Sequence, residues 1–288
     1  MDTSIAVPFN APLAPSAARD GFDAPSLATA RELERLRARV RELSVELVQA
    51  QESIRRHVAR ELHDGVGAEL TATRFALAGI ETWLPADAPP QCANALAVAN
   101  RSLDAVCAAN REAVAQLHAP SFGMGLAGAI QRWTDEFAAR TGLRTTFASA
   151  DDARLARLPA DAALAVFRVA QEALNNVARH ARATSADVCI ETGPHHLTLR
   201  VSDNGIGLAR GARKNHGARD DSNDHFGLAG MQARCAAFDG TLRVSARRIG
   251  AAHADGDGNG GTLVQARFAW DALLAPAAPR AARRALQS

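Results

Sequence analysis

The segment VSDNGIGL sets Asp203, Gly205 and Gly207 directly after an alternating, strand-like stretch. A carboxylate at a strand end can face a ligand, and two glycines let the backbone approach it closely. In isolation the same pattern is an ordinary Asp/Gly turn. Upstream, however, FRVAQEALNNVARHA carries Glu172 and Asn176 four residues apart, hence on one helix face, with Arg179 and His180 about one turn further along. A polar stripe on an otherwise apolar helix needs a reason. An Asn carbonyl is a good magnesium ligand and Arg a good phosphate partner. Downstream, HFGLAGM puts Gly227 and Gly230 at the start of a helix, a place suited to phosphate oxygens. Gly260, Gly261 and Thr262 open the last strand. The polar stretch between these motifs, ARGARKNHGARDDSNDH, is either a solvated loop or a lid over a nucleotide.

The elements that must position these residues fall into two groups. Leu33, Leu36, Val40, Leu43, Leu47, Ala50 and Ile54 alternate in steps of three and four, an a/d seam flanked by Glu and Arg. It predicts a two-stranded coiled coil and hence a homodimer; the plainer alternative is one amphipathic helix packed inside its own chain. Ile54, Val58, Leu62, Val66 and Leu70 are then four apart, a stutter just before RELHDGVGAEL. The helix is expected to run to Leu84, where PADAPP ends it, and a second helix to run from Gln91 to Leu117. This is an αα-hairpin, and two hairpins in a dimer make a four-helix bundle. After HAPSFGMG, helices at 125–141 and 159–181 mix with strands at LRTTFAS, ADVCIET, HLTLRVSD, TLRVSARR and TLVQARFAW and a short helix at GLAGMQARCAAF. Without strict βαβ alternation this is a layered α and β domain.

Composition narrows the function. With 33 basic against 31 acidic residues and a net charge of +2, the 288-residue chain offers no charge argument for nucleic acid or membrane. Aromatics at 5% and no Tyr exclude a base-stacking platform. Cys92, Cys107, Cys189 and Cys235 have no zinc spacing and read as small buried hydrophobes in a reducing compartment. The first 26 residues show neither a basic leader nor an apolar core, and no window of 18 apolar residues occurs, so a cytoplasmic protein is expected.

QEALNNVARHA, DNGIGL, GLAGM and GGTL, in this order and spacing, closely resemble the N, G1, G2 and final motifs of the GHKL (Bergerat) ATP-binding domain. RELHDGVGAEL, about 110 residues upstream, resembles the phosphoacceptor box of sensor histidine kinases of the NarX/DegS/DesK-like group. The resemblance implies an N-terminal coiled coil and a dimeric helical hairpin, followed by a Bergerat-type α/β sandwich. The corresponding segments are a flexible tail (1–26), coiled coil (27–56), dimerisation and histidine phosphotransfer domain (57–120), ATP-binding domain (125–270) and a second tail (271–288).

The resemblance also implies roles. Asp203 accepts the adenine amino group, Asn176 ligates the magnesium of the triphosphate, and Gly205, Gly207, Gly227 and Gly230 frame base and phosphates. Arg179 and His180 line the phosphate side, Thr262 lies beneath the adenine, and Glu172 either activates water or only orients magnesium. His63 is the nucleophile, and its physics agrees: it follows seam residue Leu62, so it is reachable, and imidazole is substantially neutral near its reference pKa of about 6.5. Asp64 next to it can accept the proton of the other ring nitrogen and hold the tautomer. The implied partners are a response regulator, of the kind with a LuxR-type output, and an upstream signalling protein, since input is expected through the coiled coil or a partner. A nucleotide-switched adaptor and a GHKL serine kinase or ATPase are the competing readings. One departure stands out: the residue four after the acidic partner is usually Gln or His in this family and is Ala68 here, which implies weak phosphatase activity.

Overall fold

A computed structural model describes residues 27–207, 222–247 and 260–275. Both expected tails, apart from residues 271–275, and most of the polar stretch lie outside these residues. The chain divides into two units at Arg39/Val40. Of the first, the described part is the opening of helix α1 (Leu27–Glu61), with Leu33 and Leu36 exposed along it.

In the second unit α1 continues with Val40, Leu43, Leu47 and Ile54 exposed, the seam facing away from its own chain. Through the four-residue step from Ile54 to Val58 the helix stays regular, as a stutter allows. It runs unbroken to Glu61 and takes up its extra residue in a π-turn, Leu62–Val66, before α2 (Gly67–Trp83). A π-turn closes i to i+5, and here the Gly67 amide donates to the Leu62 carbonyl. Helix α3 (Pro90–Leu117) opens on a proline, whose missing N–H would be unpaired at a helix start anyway. It returns along α2 to complete the hairpin.

The remaining elements are α4 (Gly125–Thr141), β1 (Arg144–Ser149), α5 (Ala153–Ala156), α6 (Ala160–Asn176), a second π-turn (Val177–Ala181), β2 (Ser185–Thr192), β3 (His196–Asp203), α7 (Ser222–Ala236), β4 (Thr241–Ala246), β5 (Thr262–Ala269) and α8 (Trp270–Leu273). The sheet order is β1-β2-β3-β5-β4. Strands β1 and β2 are parallel, joined by the crossover through α6, and the other pairs are antiparallel. Strict alternation along β3 buries Leu197, Leu199 and Val201 on one face. Helices α4 and α6 cover that face with Ile130, Phe137, Val166, Phe167 and Leu174, all within one core. Each such side chain contributes roughly 1.5–3 kcal/mol when fully buried. Trp133 stacks edge-on against Phe167 at 5.8 Å and tilts over Phe137 at 5.1 Å.

The layered architecture is the one expected, with three adjustments. Helix α7 begins at Ser222, five residues ahead of GLAGM. The segment from 271 is not tail throughout, since Leu273 is fully buried in the core. Of the cysteines only Cys235 is buried, with its thiol pushed up to about 12 by burial; Cys92 is exposed and Cys107 and Cys189 lie between. Cys92 sits in the first turn of α3, where the hairpin packs nothing against it.

Candidate functional site

Strand β3 delivers Asp203 to its end, 2% exposed. Its Oδ1 accepts from the Gly205 amide at 2.8 Å, and among the described residues Oδ2 has no hydrogen-bond partner. The loop after it lies flat on the second π-turn: the Ile206 amide donates to the Ala181 carbonyl at 2.9 Å. A Cβ on Gly205 would run into that same carbonyl, so the close approach requires glycine. On the other side the Gly261 amide donates to the Gly205 carbonyl at 3.0 Å. Gly261 has φ +52° and no room for a Cβ, which would strike the Asp203 carbonyl. Gly207, at φ +71°, faces the Gly261 carbonyl, and Thr262 opens β5 opposite Ala246.

Asn204 fixes this loop from outside. Its Oδ1 accepts from the amides of Thr184 and Ser185 at 2.9 and 3.0 Å, and its Nδ2 donates to Thr184 Oγ1 at 2.8 Å. The π-turn that supports the loop follows Asn176, the last residue of α6. Asn176 is half-buried, whereas Arg179 and His180 are exposed on the π-turn itself. Glu172, one turn before Asn176, is half-buried with its carboxylate against the Cα of Gly227, and a Cβ there would collide with it. Gly230 is placed differently. It is buried, and a Cβ on it would meet Arg234 of its own helix and the Gln51 amide of α1.

His63 and Asp64 occupy the first π-turn, both exposed. Asn110 of α3 reaches across and donates through Nδ2 to the Leu62 carbonyl at 3.3 Å. The structure therefore gathers Asp203, Gly205, Gly207, Gly261 and Thr262 around one loop, and sets Glu172 of α6 against Gly227 of α7. Among the described residues no hydrogen bond or ion pair joins the turn of His63 and Asp64 to the sheet domain.

Two family models match the chain. One, described as histidine kinase, covers residues 54–122; the other, histidine kinase-, DNA gyrase B- and HSP90-like ATPase, covers residues 161–271. The chain belongs to the NarX group of sensor histidine kinases. It is 32% identical over 221 residues to the sensor histidine kinase MctS of Rhizobium johnstonii, covering 74% of this chain and 45% of that protein. It is 33% identical over 211 residues to the histidine-protein kinase/phosphatase UhpB of Salmonella typhimurium, 72% of this chain and 39% of that one. It is 26% identical to the nitrate/nitrite sensor NarX of Escherichia coli over 67% of this chain and 30% of that one. The chain thus spans less than half the length of these three relatives. Among the described residues, no helix of this histidine kinase is long and apolar enough to cross a membrane.

Sequence reasoning missed Asn204, although it stands inside the quoted DNGIGL. An Asn beside a turn is so common that only its three bonds reveal a task. It also missed Glu52, Arg168 and Gln171. For Arg168 a signal existed: a charge between Phe167 and Val169 on an apolar helix.

Proposed function

We propose that this chain autophosphorylates His63 from ATP and passes the phosphoryl group to an aspartate of a response regulator. One ring nitrogen of His63 attacks the γ-phosphorus, the bond to the β,γ-bridging oxygen breaks, and ADP leaves with that electron pair. Asp64 holds the other ring nitrogen and takes up its proton. Attack by nitrogen requires a neutral, reachable imidazole, and His63 is exposed in a turn where the helix is locally widened.

The observation that carries the reading is the Asp203 loop. A buried carboxylate with one oxygen tied to Gly205 and the other without a partner among the described residues is suited to accept one amino proton of adenine. Gly205 and Gly261 let the loop pack directly on the Ala181 and Asp203 carbonyls, which fixes the place of the carboxylate. In this reading magnesium would be held by the side-chain carbonyl of half-buried Asn176 together with phosphate oxygens. Arg179 and His180 belong to the phosphate side in this reading, and Glu172 to orientation of the ion or of water. ATP and response regulators are cytoplasmic, and so, in this reading, is the chain. The exposed α1 seam supports a homodimer; a regulator with a LuxR-type output and an upstream signalling partner complete this reading.

Labelling with γ-labelled ATP tests the proposal. The label should be acid-labile and base-stable, as phosphohistidine is, and absent from His63→Gln while that variant still binds ATP. A base-labile, acid-stable label, or label persisting on His63→Gln, would refute it.

A further inference from the structure

Main-chain pairing of β2 with β3 ends at Ala186 and Asp203. Beyond that pair a side chain takes over. The Asn204 amide donates to the Ser185 carbonyl at 3.3 Å, and Asn204 Oδ1 accepts from two successive amides, those of Thr184 and Ser185. Its Nδ2 donates to Thr184 Oγ1. Asn204 is exposed, so water is at hand for every one of these groups and burial does not demand the bonds.

The segment they hold is the link from the second π-turn to β2. It starts at Arg182, whose φ of +49° is one that residues with a side chain seldom adopt. The link is clasped at both ends. The Ile206 amide bonds the Ala181 carbonyl at one end, and Asn204 bonds Thr184 and Ser185 at the other. Gly205 stands between the two clasping residues, and its amide is the one that holds Asp203 Oδ1. On the far side the Gly261 amide holds the Gly205 carbonyl, while Arg247 Nη1 stands 3.5 Å from the Asp203 carbonyl, a weak contact.

We propose that Asn204 is a positioning residue for base recognition: by clasping the link it fixes the Gly205 amide, and through it the Asp203 carboxylate, so that the site selects a purine with a 6-amino group. The proposal rests on the reading above in which Asp203 accepts from adenine. Asn204 acts through Asp203 and not on the nucleotide. The link it clasps leads back to Asn176, Arg179 and His180, so the clasp also ties the adenine side of the site to the phosphate side. Selectivity is a difference of affinities. A carboxylate that has drifted accepts a 6-amino proton less well, while a 6-oxo base loses nothing.

The test uses the full chain and compares binding of ATP with that of inosine triphosphate, which carries a 6-oxo group in place of the amino group. The parent should favour ATP by about tenfold or more, as a hydrogen bond to a charged group allows. Asp203→Asn should lower that ratio. Asn204→Ala should lower it by about fivefold or more, through ATP alone, since a misplacement of about 1 Å can cost roughly 100-fold. Asn204→Asp keeps an oxygen for both amides, and Thr184 Oγ1 can donate where it accepted, so the ratio should return to that of the parent. A role in stability alone would shift the denaturant midpoint and leave the ratio in place. Should Asn204→Ala fail to fold, Asn204→Gln, whose amide is displaced by one methylene, takes its place with the same expectation. An unchanged ratio in the folded variant, an equal loss of both nucleotides, or a ratio as low in Asn204→Asp overturns the positioning role alone. Equal binding of the two nucleotides by the parent removes the reading of Asp203 and this proposal with it.

Discussion

Asp203 and Asn176 serve opposite ends of one nucleotide in the proposed function, so their variants should fail differently. Asp203→Asn replaces an acceptor with an amide that can no longer accept from both Gly205 and adenine, and ATP binding should weaken by about 1.5–3 kcal/mol. Asn176→Ala should leave adenine recognition in place and remove magnesium-dependent transfer. Nucleotide titration with and without magnesium separates the two; equal losses in both variants would contradict the division. Ala68 is exposed one turn beyond His63 and offers a methyl group with neither donor nor acceptor, so it cannot orient a water. Glu69 points about 100° away around the helix. Ala68→Gln should therefore speed loss of phosphate from the regulator while autophosphorylation stays as in the parent. Brisk dephosphorylation by the parent, with nothing gained in the Ala68→Gln variant, would end that reading.

At the scale of elements, two π-turns fall at the two ends of the proposed chemistry. One holds His63 and Asp64, and the other supports the Asp203 loop through the Ala181 carbonyl. The first inserts a residue between α1 and α2, which changes the phase of the faces before and after it; the second ends α6. In the first, α3 helps to hold the widened turn through Asn110. Asn110→Leu should cost about 0.5–1.5 kcal/mol in denaturant unfolding, and slow labelling of His63 without changing ATP affinity. Unaltered labelling would make the Asn110 bond purely structural. The heptad pattern of α1 was legible because it repeats locally. The π-turn was visible only as four-residue spacing, which a stutter explains equally well, and no short window of sequence separates the two.

For the whole molecule, α1 serves two surfaces. Its seam, with Leu43 and Leu47 exposed in the single chain, is free for a second copy, while Ser44 and Glu52 are buried against its own chain. Leu43→Asp with Leu47→Asp should cost the protomer little and break the seam. Light scattering should then report the 30.3 kDa of one chain, where the parent should report a larger mass. A parent that is already monomeric at micromolar concentration would exclude the coiled-coil dimer.

What the sequence by itself determined is whatever is written in short windows. The D-x-G-x-G loop, the four-residue spacing of Glu172 and Asn176, the alternation of β3 and the seam of α1 each depend on neighbours in the chain, and the fold class followed from them. The tertiary structure alone decided which distant residues meet. Glu52 and Arg168 are 116 positions apart, and neither belongs to a repeating pattern that could pair them. Gly230 reads as a partner of Gly227, yet the docking of α1 turns it to Gln51. A buried ion pair has no period. It is created when two surfaces close over it and exclude water, and that closure is a property of the packed chain.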